Sequence, residues 1–124
     1  MRYPKSIALL ACLAGGAMIV PAASGAGHKP KPVVKRVKVA DDYYSPTKLT
    51  ITKGSAVNWV WSAQNFDSHN VTLIKGPKGV KHSKFTSIDG TAGLHFKRTF
   101  TTPGTYHFEC TIHPSMNIAV IVKR

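Results

Sequence analysis

The sequence has few acidic residues, few cysteines and no apolar run as long as a membrane span. Its 124 residues contain only 5 Asp and Glu against 17 Lys and Arg, and the formal net charge is +12. We find no acid/base pair of side chains and no pattern typical of a substrate cleft, so catalysis on a substrate is not supported. We therefore predict that the protein is not an enzyme.

The first 26 residues have the pattern of a secretory signal peptide. Arg2 and Lys5 form a positive start, residues 7–20 are apolar, and residues 22–27 are small, as at a cleavage site. The apolar stretch is shorter than the roughly 20 residues of a membrane span. We predict cleavage after Ala26, export to the periplasm or the extracellular space, and no stable membrane insertion afterwards. A retained membrane anchor is the alternative.

The positive charge bears on the kind of partner. Removal of residues 1–26 leaves 15 basic and 5 acidic residues, a net charge of +10. Such an excess favours acidic partners or nucleic acid. The basic residues are scattered rather than set beside stacking aromatics, and export makes nucleic acid an unsuitable target. We predict a protein partner with an acidic docking surface and no nucleic-acid binding; a merely solubilising surface is the alternative.

Cysteine is the scarcest of the reactive residues. Cys12 lies in the predicted signal peptide, where we interpret it as part of the apolar segment rather than a lipid attachment site. Its removal leaves Cys110 as the only cysteine, so an internal disulfide is excluded. In an exported protein, the Cys110 thiol must then be buried, paired with another molecule or bound to a ligand.

The rest of the chain reads as a single all-β domain. Residues 27–32 are a polar, proline-broken linker, and residues 33–124 form the domain. Short apolar runs with the two-residue period of β-strands recur in it. These runs are VVKRVKV, KLTITKG, SAVNWVW, HNVTLI, LHFKRTF, TYHFEC and NIAVIVKR. Residues 75–93 are interpreted as an irregular loop with one short strand at most. This pattern predicts a β-sandwich or barrel.

Bulky side chains must supply the core of so small a domain. We predict the following core residues: Trp59, Trp61, Phe96, Phe100, Tyr106 and Phe108. Strand alternation in TYHFEC places the Cys110 sulfur on the same inward face as Tyr106 and Phe108.

The segment CTIHPSM places a thiol, an imidazole and a thioether within seven residues. Cys110, His113 and Met116 can converge on one point across so short a loop. These donors favour copper, whereas structural zinc sites normally use several cysteines. A type 1 copper site has two histidines, one cysteine and a weak axial methionine. The second histidine must come from elsewhere, and His69, which follows a loop, is the best of the five candidates.

Residues from about 33 to the end resemble the small blue copper proteins, the cupredoxins of the plastocyanin type. The stretches that carry the resemblance are YYSPTKLTITKGSAVNWVW, DSHNVTL and FTTPGTYHFECTIHPSM, and the Cys-x-x-His-x-x-Met spacing is similar to amicyanin. The resemblance implies a Greek-key β-sandwich and one copper ion in a type 1 site. It implies the copper ligands His69, Cys110, His113 and Met116.

The resemblance also implies roles for the neighbours of the ligands. Asn70 would link to Thr111 and so tie the two ligand segments together. Ile112 stands where amicyanin-like loops usually have proline, and Ile118 stands where a glycine is often found. Because isoleucine keeps the N–H that proline lacks, we predict a hydrogen bond from Ile112 to the Cys110 sulfur that raises the reduction potential.

The function implied by the resemblance is transfer of single electrons between redox partners, with His113 as the electron exit. A monomer is expected. The alternative is extracytoplasmic copper storage, scavenging or delivery, which the same ligands would serve. A third, weaker alternative is a structural sandwich without metal.

Overall fold

Eight β-strands make up the regular structure of the described chain. A computed structural model describes Gly16, Gly25 and residues 27–124. The predicted signal peptide therefore lies outside the described residues, apart from two glycines. The strands are β1 (Val34–Ala40), β2 (Tyr43–Ser45), β3 (Lys48–Thr52), β4 (Ala56–Trp61), β5 (Thr72–Lys75), β6 (His95–Thr99), β7 (Gly104–Glu109) and β8 (Asn117–Lys123). One short 3₁₀-helix, His82–Phe85, interrupts the loop after β5.

The strands form two four-stranded sheets packed face to face. One sheet has the order β2-β1-β4-β6 and the other β3-β8-β7-β5. The β1–β4 and β3–β8 pairs are parallel, and the other pairs are antiparallel. Parallel neighbours require a crossover between the sheets rather than a tight hairpin. The predicted all-β sandwich is confirmed.

Three details differ from the prediction. Strand β2, of three residues, has no clear alternating signal, and it pairs with β1 across a tight turn at Asp41 and Asp42. Asp42 has φ of 65°, a left-handed conformation that aspartate tolerates better than most residues. The predicted run HNVTLI forms a strand only from Thr72, since His69 makes an isolated bridge with Gly90. Residues 75–93 hold a 3₁₀-helix rather than a strand beyond β5.

The core lies between the sheets and consists largely of aromatic rings. All six predicted aromatic core residues are buried. The Trp59 ring centroid lies 5.0 Å from that of Phe108 and 5.6 Å from that of Phe96. Tyr106, Phe108 and Cys110 alternate with more exposed residues, so the Cys110 sulfur faces inward as predicted. The core thus extends to the end of β7, where the chemically distinctive residues begin.

Residues 27–32, which precede β1, are exposed and have no regular secondary structure. In the part of the chain that the structure describes, no helix has the length and apolarity to cross a membrane.

Replacing Gly104 by Ala should lower the free energy of unfolding by about 1–3 kcal/mol. Gly104 has φ of 136°, and a Cβ atom there would lie 2.6 Å from Pro77 Cγ. Urea denaturation measures the loss. Gly79→Ala is the control because Gly79 also has a positive φ, of 85°, but a Cβ atom meets nothing within 4 Å. Equal losses in the two variants would contradict the close contact with Pro77.

Candidate metal centre

Three separate segments meet at one end of the sandwich. His69 and Asn70 precede β5, Cys110 to Met116 connect β7 with β8, and the Asp41–Asp42 turn connects β1 with β2. Backbone bonds hold the first segment, because His69 N–H donates to Gly90 O at 2.9 Å and Gly90 N–H donates to His69 O at 3.0 Å. The strand ends of both sheets therefore position the side chains described below.

The Cys110–Met116 loop is closed by its own backbone. Cys110 N–H donates to Met116 O at 3.1 Å, His113 N–H donates to Cys110 O at 3.2 Å, and Met116 N–H donates to His113 O at 2.9 Å. The three predicted donor residues of this loop are thus bonded to one another through the main chain. The loop is therefore a compact turn, and the three side chains project from backbone positions that lie close together.

The loop brings two of its side chains against His69. One donor atom each from His69, Cys110 and His113 lies within 4.8 Å of the others. The two histidine Nδ1 atoms are 3.1 Å apart, and the Cys110 sulfur lies 3.9 Å from His113 Nδ1. His69, Cys110 and Met116 are buried, whereas the side chain of His113 is 25% exposed. Among the described residues, no other histidine belongs to such a group.

This donor set fits copper. Two imidazoles and a thiolate, with a buried thioether in the same loop, are ligands of soft to borderline character. The cluster is enclosed by core residues on the Cys110 and His69 side and reaches solvent only at His113. The same donors, with one cysteine, are a poor match for a structural zinc site.

Asn70 and Thr111 link the two ligand segments. Asn70 Oδ1 accepts from Thr111 N–H at 3.0 Å, and Asn70 Nδ2 donates to Thr111 Oγ1 at 2.8 Å. The same amide group donates to Asp89 Oδ1 at 2.8 Å. The structure therefore brings together the two residues for which the sequence predicted a link.

The hydrogen bond to the Cys110 sulfur comes from a different donor than predicted. Asn70 N–H donates to that sulfur at 3.4 Å, and among the residues described, no bond from Ile112 to it is present. Ile112 lies at the apex of the turn that the His113–Cys110 bond closes, and its side chain is 43% exposed. Among the described residues, the backbone donor to the sulfur is therefore Asn70.

Three residues near His69 were missed by sequence reasoning. The first is Asp41, whose Oδ1 lies 2.9 Å from His69 Nε2. This bond, together with the Phe66 and Asp67 amides, lowers the pKa of the Asp41 carboxyl.

The other two are aromatic residues that bond to the backbone of the His69 segment. Trp61 Nε1–H donates to His69 O at 3.1 Å, and the Tyr44 hydroxyl donates to Asn70 O. Burial raises the pKa of Tyr44, so it remains a donor. Asp41 and Asp42 are an acidic pair in the sequence, but no nearby sequence pattern connects them with His69.

The surface at this end differs in charge from the rest of the molecule. Asp42 Oδ1 lies 3.7 Å from His113 Nε2, and carboxylates of Asp42 and Asp67 form a second group with that histidine. All five acidic residues of the sequence contact or adjoin the centre: Asp41, Asp42, Asp67, Asp89 and Glu109. Two exposed apolar side chains, Ile112 and Phe66, flank the same area. Exposed basic residues lie instead on strands β1 and β6.

Thr111→Val should lower the free energy of unfolding by about 1 kcal/mol, because it removes one acceptor of the link to Asn70. Asn70 Nδ2 keeps its bond to Asp89, which limits the loss. Urea denaturation of the metal-free chain measures it. Thr105→Val, at an exposed position of β7, is the matched control and should leave stability unchanged. A Thr111 variant as stable as the control would show that the link contributes nothing.

Comparisons with known proteins find relatives over nearly the whole chain. The family model described as copper binding proteins, plastocyanin/azurin family, matches residues 33–123. Amicyanin-alpha of Methylorubrum extorquens is 30% identical over 125 residues, which cover 99% of this chain and 100% of that protein.

Solved structures with similar folds include an amicyanin and a larger copper protein. Amicyanin from Paracoccus versutus has a TM-score of 0.62 and 31% identity, covering 73% of this chain and 81% of that one. The copper-containing nitrite reductase of Thermus scotoductus has a TM-score of 0.61 and 28% identity, covering 77% of this chain but only 23% of that one.

Proposed function

Because the chain belongs to the plastocyanin/azurin family of copper-binding proteins, we propose that it is an exported carrier of single electrons. Copper is the cofactor of this family, and one ion is expected per chain. We assign the ligands as His69, Cys110, His113 and axial Met116. The observation that carries this proposal is the convergence of His69, Cys110 and His113 donor atoms within 4.8 Å at a largely buried point.

The bound copper would supply a centre that gains and loses one electron. The chain's own part is to hold the donor side chains in one arrangement. The Asn70–Thr111 link joins the two ligand segments, and the Asn70 N–H donates a hydrogen bond to the Cys110 sulfur, which helps to fix its position. Main-chain bonds within the Cys110–Met116 loop restrain it further. A rigid site needs little reorganisation when an electron moves.

His113 is the proposed electron exit. Its side chain is 25% exposed, whereas His69 and Cys110 are fully buried. Ile112 and Phe66 provide apolar surface beside it, which permits close approach of a partner. The protein would thus exchange electrons through the face around His113 rather than through the flanks of the sheets.

Ile112→Asp should slow electron self-exchange about tenfold. It adds a negative charge next to His113, where Asp42 already lies 3.7 Å from the ring, and these like charges repel when two molecules meet through this face. Line broadening in NMR spectra of mixed reduced and oxidised protein measures the rate. Val34→Asp changes the net charge equally but lies at the opposite end of β1, on an exposed side chain. That control should keep the original rate. Equal slowing in both variants would contradict an exit at His113.

A redox titration of the copper-loaded chain tests the function as a whole. We expect one electron per protein and a reversible change of the absorption spectrum. An irreversible change, or no bound copper after exposure to Cu(II), would contradict the proposal. The rival function, copper storage, scavenging or delivery, predicts instead that the metal passes readily to a chelator.

The partners are proposed to be redox proteins, and the chain itself a monomer. Its net charge favours a partner with an acidic docking surface. Because the five acidic residues surround the centre, the basic residues proposed to attract such a partner are those exposed on β1 and β6, on the flank of the sandwich. Electron transfer to an acidic redox protein should then slow as ionic strength rises.

Two further proposals concern the location of the protein and whether it is an enzyme. The first 26 residues would direct export, and N-terminal sequencing of the exported protein should begin at Gly27. Within the described residues, no second metal-binding group buried in the fold accompanies the first. A similarity that covers only 23% of the nitrite reductase leaves most of that enzyme unmatched. We propose a carrier and not an enzyme.

A further inference from the structure

We propose that Asp41 is a positioning residue for the centre: its carboxylate holds the His69 ring in the tautomer that carries the proton on Nε2. This inference rests on the proposed function in treating His69 as a ligand. It assigns a role to a residue that the ligand set does not include.

The geometry around Asp41 carries the proposal. Asp41 Oδ1 lies 2.9 Å from His69 Nε2, which is close enough for a hydrogen bond from a ring N–H to a carboxylate. The His69 side chain is fully buried, whereas that of Asp41 is 30% exposed. A carboxylate is an acceptor only, so the hydrogen in this bond must belong to Nε2.

The carboxylate is itself held in place. Asp41 Oδ2 accepts from Phe66 N–H at 2.9 Å, and Oδ1 accepts from Asp67 N–H at 3.2 Å. These amides belong to the segment that leads to His69. Asp41 at the end of β1 therefore fixes both the approach of that segment and the orientation of the ring.

The opposite ring atom then faces the other donors. With the proton on Nε2, His69 Nδ1 presents a lone pair toward His113 Nδ1, which lies 3.1 Å away. His69 is thus already set in the tautomer that leaves Nδ1 free to bind a metal.

A carboxylate partner also changes the donor strength of the ring. A ligating histidine that donates its other N–H to a carboxylate is a more basic ligand, and loss of such a partner typically costs about 10–100-fold in metal affinity. A stronger imidazole donor favours Cu(II) over Cu(I). Asp41 should therefore lower the reduction potential.

The first test uses the metal-free chain. Imidazole ¹⁵N shifts at pH 8 should show His69 protonated on Nε2 alone. Asp41→Ala should give a mixture of His69 tautomers. A wild-type His69 that is protonated on Nδ1, or on both nitrogens, would overturn the proposal. This readout needs no copper, so it stands or fails separately from the proposed function.

The second test uses the copper-loaded chain. In Asp41→Ala we expect Cu(II) affinity to fall about 10–100-fold, Cu(I) affinity to fall less, and the potential to rise. Asp41→Asn keeps an acceptor oxygen, so its affinity and potential should lie between those of the wild type and the Ala variant. This variant provides the test if Asp41→Ala does not fold. Glu109→Gln removes an equal charge at the end of β7, where no histidine ring is bonded to it among the described residues. An equal shift in the Glu109 variant, or no shift in the Asp41 variants, would show that Asp41 does not act through His69.

Discussion

Cys110→Ser should abolish the intense blue absorption of the Cu(II)-loaded chain. The expected band is a charge transfer from the cysteine thiolate to copper, and a serine hydroxyl cannot supply it. Cys110 is buried at the end of β7, beside the two histidines, and is the only cysteine after residue 26. No other thiol after residue 26 can take its place. The visible spectrum of both proteins with Cu(II) measures the effect.

The serine variant changes little else. Serine has nearly the shape of cysteine, so the fold should persist, and urea denaturation checks that it does. The Asn70 N–H that bonds to the sulfur can donate to the serine oxygen instead. Blue colour that survives in a folded Cys110→Ser protein would contradict the ligand assignment.

Trp59→Ala should lower the free energy of unfolding by about 3–5 kcal/mol, a large part of the roughly 5–15 kcal/mol that a domain has. Trp59 is completely buried, and its ring packs against Phe96, Phe100 and Phe108. Truncation would leave a cavity where the two sheets meet. Urea denaturation of the metal-free chain measures the loss.

Phe66→Ala is the matched control for this change. Phe66 is also aromatic, but its side chain is 92% exposed, so its removal should alter stability by less than about 0.5 kcal/mol. A loss at Phe66 comparable to that at Trp59 would show that the core is not where the structure places it.

The local parts of the centre could be predicted from the sequence. Cys110, His113 and Met116 lie within one short loop, and alternation along β7 determines which way the cysteine faces. The all-β fold follows from period-two runs in the same way. His69 could be selected from the residues only as the best of five histidines, because it lies 41 residues before Cys110 in the chain, and the resemblance then implied it as a ligand.

Contacts between distant segments were beyond the sequence. Asp41 reaches His69 only because the end of β1 lies beside the segment before β5, and no local pattern encodes that neighbourhood. The donor to the Cys110 sulfur differs from the predicted Ile112 for a related reason. Having an N–H is not sufficient for a bond to the sulfur, because the turn from Cys110 to His113 determines where that N–H points.

Repeated reduction and oxidation in the presence of a strong Cu(I) chelator tests the central claim most directly. The copper-loaded chain of residues 27–124 is cycled on an electrode while the chelator's absorbance is followed. The account predicts a reversible one-electron wave that keeps its height over many cycles, with no copper in the chelator. A wave that decays on reduction as the chelator takes up copper would contradict electron carriage and indicate copper delivery.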